Sequence, residues 1–145
     1  MTKRDFQKQR VYNWEDKYVR PKMPINQRPI EMLEVIGTHV WSAMGFENVP
    51  RILYNPRYKM KSTGGRYEIL LSQYQQDEFT LIHEMAHSMN LMEHRAVYDN
   101  HGPNYVADYC TLLCKFYGFD INYLMYTLKK SKVKINLGQF YANNS

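Results

Sequence analysis

The chain has 145 residues, 44% of them apolar and 23% charged, with a formal charge of +5 and two cysteines. That length suits one domain with a core of its own, and the composition reads as globular and soluble. No apolar run approaches the roughly 20 residues that span a bilayer, and the basic start, MTKRDFQKQR, has no apolar stretch behind it to make a secretory signal.

From Asp5 to Val19, Val11, Trp14 and Tyr18 recur at helical spacing, with Phe6 upstream, and predict an amphipathic helix. RPKMPINQRP, with three prolines in ten residues, reads as a linker or extended strap. Ile30, Leu33, Val40 and Met44 mark a helix starting at Pro29 and stopping at Gly45. RILYN is a short strand, and NPRYKMKSTGG a turn-rich connection with room for another. RYEILLS alternates as a strand, apolar on both sides.

Asp77 is the expected N-cap of the next helix, with Glu78 in its first turn. This helix carries LIHEMAHSMN. Ile82, Met85, Ala86 and Met89 fall on one core-facing stripe. After it, Pro103 suits the first position of a helix whose Val106, Cys110, Leu113 and Tyr117 repeat up to Gly118. Asp120 caps a last helix, INYLMYTLKKSK, and VKINLGQFYANNS follows as strand or tail, with residues 135–145 read as a tail. The expected architecture is one α+β domain, a small and mostly antiparallel sheet packed on helices.

His83 and His87 stand at i and i+4, so both imidazoles leave one stripe and can take adjacent corners of a tetrahedral zinc ion. Glu84 is about 100° further round the helix. It is placed to polarise a metal-activated water rather than to ligate. The bland alternative is two ordinary helix histidines, as His39 is read to be.

Several residues compete as third ligand. His94 is seven residues past His87, about 10 Å along a continued helix and out of reach. The longer metal-binding signature is also missed, because Asn90 and Glu93 stand where it needs Gly and His. Asp99 and Asp108 could ligate through oxygen. His101 is favoured, because it sits at the sharp entry to the next helix, whose antiparallel return would bring it over the motif.

LIHEMAHSMN, followed fourteen residues after its second His by HGPNYVADY, resembles the SprT-like zinc metallopeptidases. The resemblance implies one zinc ion held by His83, His87 and His101, with Glu84 as catalytic acid/base. It also implies a compact zincin-type fold in which the strand before the motif helix borders the substrate cleft. RDFQKQRVYNWED together with HGPNYVADYCTLLCKFYGF is similar to a small uncharacterised group of metallohydrolases from actinobacteria and bacteriophages, over Arg4 to about Val133. Many SprT-like proteins continue into a cysteine zinc ribbon. This chain has no such cysteines, and no role in DNA–protein crosslinks is carried over.

The expected chemistry is hydrolysis of an amide bond in a protein or peptide, with Tyr105 and Arg95 as candidate oxyanion stabilisers. Substrate backbone could pair with the edge of RYEILLS. Two alternatives are a zinc hydrolase of a non-protein amide and a zinc-stabilised module that binds protein or nucleic acid. The second draws on the basic ends, residues 1–28 and the cluster Lys129, Lys130, Lys132 and Lys134, which otherwise read as solvated ends. Cys110 and Cys114, too few and too close for a disulfide framework, suggest a reducing cytoplasm, the host's if the chain is phage-encoded.

Overall fold

A computed structural model describes residues 5–92 and 99–144. They form an α+β fold of six α-helices and a three-stranded mixed sheet. Two units emerge, Pro24–Met92 and the described parts of Met1–Met23 with Glu93–Ser145. Among the described residues, no helix is long and apolar enough to cross a membrane.

The Pro24–Met92 unit holds α2 (Ile30–Ala43), β1 (Arg51–Asn55), β2 (Thr63–Gly64), β3 (Glu68–Ser72) and α3 (Glu78–Asn90). The helix α1 that precedes them lies in the other unit. The sheet order is β1-β3-β2. β1 runs parallel to β3 from Arg51↔Glu68 to Asn55↔Ser72, whereas β2 pairs antiparallel only at Thr63↔Leu70 and Gly64↔Ile69. The longer pairing is therefore parallel, where antiparallel pairing was expected to dominate. β3 is also central, with β1 along one edge and β2 beside Ile69 and Leu70 on the other. The connection after β1 passes to the far edge, forms β2, and turns back through residues 65–67 into the middle of the sheet.

Helix α3 packs on β2 and β3, and α2 packs on β1 and on α3. Both ends of α3 are tied down. Asp77 accepts the Thr80 amide (2.7 Å), a cap contributing on the order of 1 kcal/mol. The extended strap holds the same end: Phe79 N donates to Pro24 O, and Arg28 N to Gln76 O. At the other end Arg66, in the β2–β3 turn, donates to Leu91 O (3.0 Å), satisfying a carbonyl that the helix leaves open. Every side chain from Phe79 to Asn90 is buried, so α3 is enclosed all round and not only along its Ile82–Met89 stripe.

The second unit contains α1 (Lys8–Trp14), α4 (Pro103–Tyr117), α5 (Ile121–Lys130) and α6 (Leu137–Asn143). The expected regular helix to Val19 breaks at Trp14, passing into a π-helical turn, Glu15–Val19, and a 3-10 turn, Arg20–Lys22. The wider turn buries Val19 in place of the half-exposed Tyr18 and points Glu15 inward. There its carboxylate accepts the Tyr109 hydroxyl (2.6 Å), and beside it Trp14 Nε1 donates to Thr127 Oγ1 (3.0 Å). Burial, reinforced by Glu15, pushes the Tyr109 phenol well above its ordinary pKa.

Residues 137–143 are a helix, not strand or tail. Asn136 caps α6 by accepting the Gln139 amide, Phe140 is buried, and α6 packs on α4. Asn143 Nδ2 donates to both Asp108 Oδ1 (2.8 Å) and Thr111 Oγ1 (3.1 Å).

Candidate metal centre

In the Pro24–Met92 unit the helix places the His83 and His87 rings side by side, centroids 5.1 Å apart and 69° between planes. Glu84 Oε1 lies 3.6 Å from His83 Nε2, so the carboxylate stands beside that ring nitrogen. All three side chains are buried, with 6–8% of their residue surfaces exposed.

The backbone behind Glu84 is held by β2 and its turn. A β-carbon on Gly64 would lie 2.1 Å from the Glu84 carbonyl oxygen, so only glycine lets the strand pass this close to the helix. One turn on, Ser88 Oγ donates to Gly65 O (2.6 Å).

In the other unit His101 opens α4, and its surroundings explain the His-Gly-Pro sequence. Pro103 at the first helical position has no amide hydrogen to satisfy. The next two amides, of Asn104 and Tyr105, donate to the Asp99 carboxylate (2.9 and 3.2 Å). That carboxylate curls over Gly102, where a β-carbon would meet its oxygen at 2.5 Å. Asp99 thus caps α4 from outside the helix, and Asp108 accepts from Asn143.

The His101 ring stands edge-on to Tyr12 and Tyr105, at centroid distances of 5.0 and 5.2 Å. Its Nδ1 is 2.8 Å from Asp5 Oδ2, while its backbone amide donates to Asp5 Oδ1 (3.2 Å). Its carbonyl accepts from Gln7 Nε2 (2.9 Å). Tyr105 has no exposed surface, and its ring is a wall of the His101 pocket. Arg95 and His94 lie outside the described residues, and His39 is exposed on α2.

The ligand-capable atoms of His83, His87 and His101 all lie within 4.8 Å of one another. Nitrogens that share one tetrahedral ion each sit about 2 Å from it and roughly 3.4 Å from one another. Neutral imidazoles, buried and close, suit zinc or a similar first-row divalent ion. Among the described residues, His83, His87 and His101 form a group of this kind with no carboxylate in it.

Sequence reasoning missed Asp5 and Gln7. A signal for Gln7 was present: Gln7, Val11, Trp14 and Glu15 fall at i, i+4, i+7 and i+8, so two polar residues share an apolar stripe. Buried polar groups are hydrogen-bonded as a rule, and such residues call for distant partners. Comparison with family models, with curated proteins and with solved structures finds no match for the chain.

Proposed function

We propose that this chain is a zinc-dependent hydrolase of amide bonds in proteins or peptides, with His83, His87 and His101 holding one ion and Glu84 acting as general base. The observation that carries the proposal is the grouping of three buried histidines with a carboxylate 3.6 Å from one of their ring nitrogens. A likeness to the SprT-like metallopeptidases and a zincin-type fold belong to the same proposal, resting on HEMAH and HGPNY.

A bound zinc ion supplies Lewis acidity, which activates water and polarises the scissile carbonyl. The chain's residues do the rest. Glu84 takes the proton of the attacking water and hands it to the leaving amine, a role that contributes about 10²–10⁴ in rate. The β2 close approach at Gly64 supports it by fixing the Glu84 backbone, and the tyrosines around His101 pack against the third imidazole. Tyr105, wholly buried, serves as packing in this reading, and Arg95 is the other candidate oxyanion donor. The free thiols of Cys110 and Cys114 support a reducing cytoplasm as the place of action.

A second reading has one observation in its favour. Each histidine is less than a tenth exposed, which also suits a closed structural ion in a protein- or nucleic-acid-binding module. Glu84→Gln separates the two. Under the hydrolase reading the variant keeps one equivalent of zinc and loses at least about 100-fold of chelator-sensitive peptide cleavage. Unchanged cleavage by the variant would remove Glu84 as the base. A wild-type protein with one zinc that cleaves nothing in a diverse peptide library transfers the assignment to the structural ion or to a non-protein amide.

A further inference from the structure

We propose that Asp5 is a positioning residue that sets the tautomer and orientation of His101, so that metal binding through His101 depends on the segment before α1. This rests on the three-histidine metal reading above.

A carboxylate only accepts hydrogen bonds. With Asp5 Oδ2 at 2.8 Å, the proton of the neutral imidazole is therefore on Nδ1, and the lone pair is on Nε2. That leaves Nε2 as the ligand atom. The second oxygen of Asp5 accepts the His101 backbone amide, so one carboxylate grips both the ring and the main chain of the same residue. The rings of Tyr12 and Tyr105 pack against the same imidazole in T-shaped contacts.

Asp5 is itself held in place. Gln7, with no exposed surface, donates to His101 O and to Lys134 O, and accepts from Lys134 N at 2.9 Å. Through this one amide side chain, the segment before α1 is stitched to the entry of α4 and to the chain between α5 and α6. These partners are 94 and 127 residues away in sequence. Such a carboxylate–histidine pair raises ligand basicity and removes the cost of selecting tautomer and rotamer when an ion binds.

The test measures zinc affinity by chelator competition, together with the ¹⁵N signals of the His101 ring in metal-free and zinc-loaded protein. Wild type, His101→Ala, Asp5→Ala and Asp5→Asn are compared, and far-UV spectra and thermal melts establish that each folds. The expected result is a loss of affinity of about 10–100-fold in Asp5→Ala, with a smaller loss in Asp5→Asn, whose amide oxygen still accepts from Nδ1. The metal-free His101 ring should show the Nδ1–H form in wild type and a mixture of tautomers in Asp5→Ala. A merely structural Asp5 would lower the melting temperature and leave both the tautomer and the affinity of the folded fraction unchanged; that outcome overturns the proposal. If Asp5→Ala does not fold, the zinc affinity of Asp5→Asn decides: a loss supports the role of Asp5, and full affinity overturns it. Wild-type protein that takes up no zinc would instead overturn the metal reading itself. Zinc lost in His101→Ala but retained at full affinity in both Asp5 variants overturns only the role of Asp5.

Discussion

Gly64 of β2 passes so close to Glu84 of α3 that a single added methyl group would fall 2.1 Å from the Glu84 carbonyl oxygen. The obstacle is backbone, which cannot swing aside as a side-chain tip would. Gly64→Ala must therefore push β2 off the helix or shift α3, and overpacking of this kind costs about 1–3 kcal/mol. Urea unfolding should show that loss. Under the proposed function the same variant should lose peptide cleavage more than it loses zinc, because the displaced atom belongs to Glu84 rather than to a histidine.

Metal removal provides a second expectation. A ligand that binds only the folded chain adds about 2.7 kcal/mol at 100 times its dissociation constant. Thermal melts of the zinc-loaded protein should therefore fall on adding a chelator and recover on adding excess zinc. His83→Ala, His87→Ala and His101→Ala should each abolish the chelator effect, while Glu84→Gln should keep it. A melting temperature indifferent to chelator in a protein carrying stoichiometric zinc would count against an ion bound among these histidines.

Phe140 tests the last helix. Its side chain is buried at 5% exposure, on α6, which packs against α4. Phe140→Ala should cost about 3–5 kcal/mol in chemical denaturation, as a core aromatic does. A residue in a loose tail would cost almost nothing, so a change below about 0.5 kcal/mol would place the end of the chain outside the fold.

Alkaline pH should destabilise the protein from about pH 9 upward. Burial pushes the Cys110 thiol well above its ordinary value of 9.0, and burial with Glu15 nearby does the same for the Tyr109 phenol, ordinarily 10.0. A raised folded-state pKa means that the unfolded chain releases its proton first. Stability is then fully present below the unfolded value and declines as pH rises toward the folded one, by up to about 1.4 kcal/mol per pH unit for each group. Cys110→Ala should flatten the first part of that decline, measured as unfolding free energy between pH 8 and about 10.5. An equal slope in the variant would exclude Cys110 as its source.

Local geometry determined much of what could be read in advance. The i, i+4 placement of His83 and His87, the Asp77 and Asp120 caps, Pro103 at the head of α4 and the strand RILYN each depend on neighbours within a few residues. A helix or strand period and a cap involve only that short range, so the order of residues specifies them. α6 could have been found in the same way, since Asn136 is a helix cap three residues before Gln139, but the short segment gave too little periodicity to separate helix from strand.

Tertiary structure alone decided the rest. No local rule puts β3 between β1 and β2, because strand order depends on how the connection after Asn55 crosses the sheet. The π-helical turn at Glu15 is stabilised by Tyr109, 94 residues further on, and the carboxylate that faces His101 comes from Asp5, 96 residues before it. By its place in the sequence Asp99 is an ordinary acid that could ligate through oxygen; in the fold its oxygens accept the amides of Asn104 and Tyr105. A carboxylate carries the same chemistry wherever it stands; whether it caps a helix, orients an imidazole or moves a proton depends on which donors the folded chain brings within 3 Å or so of it.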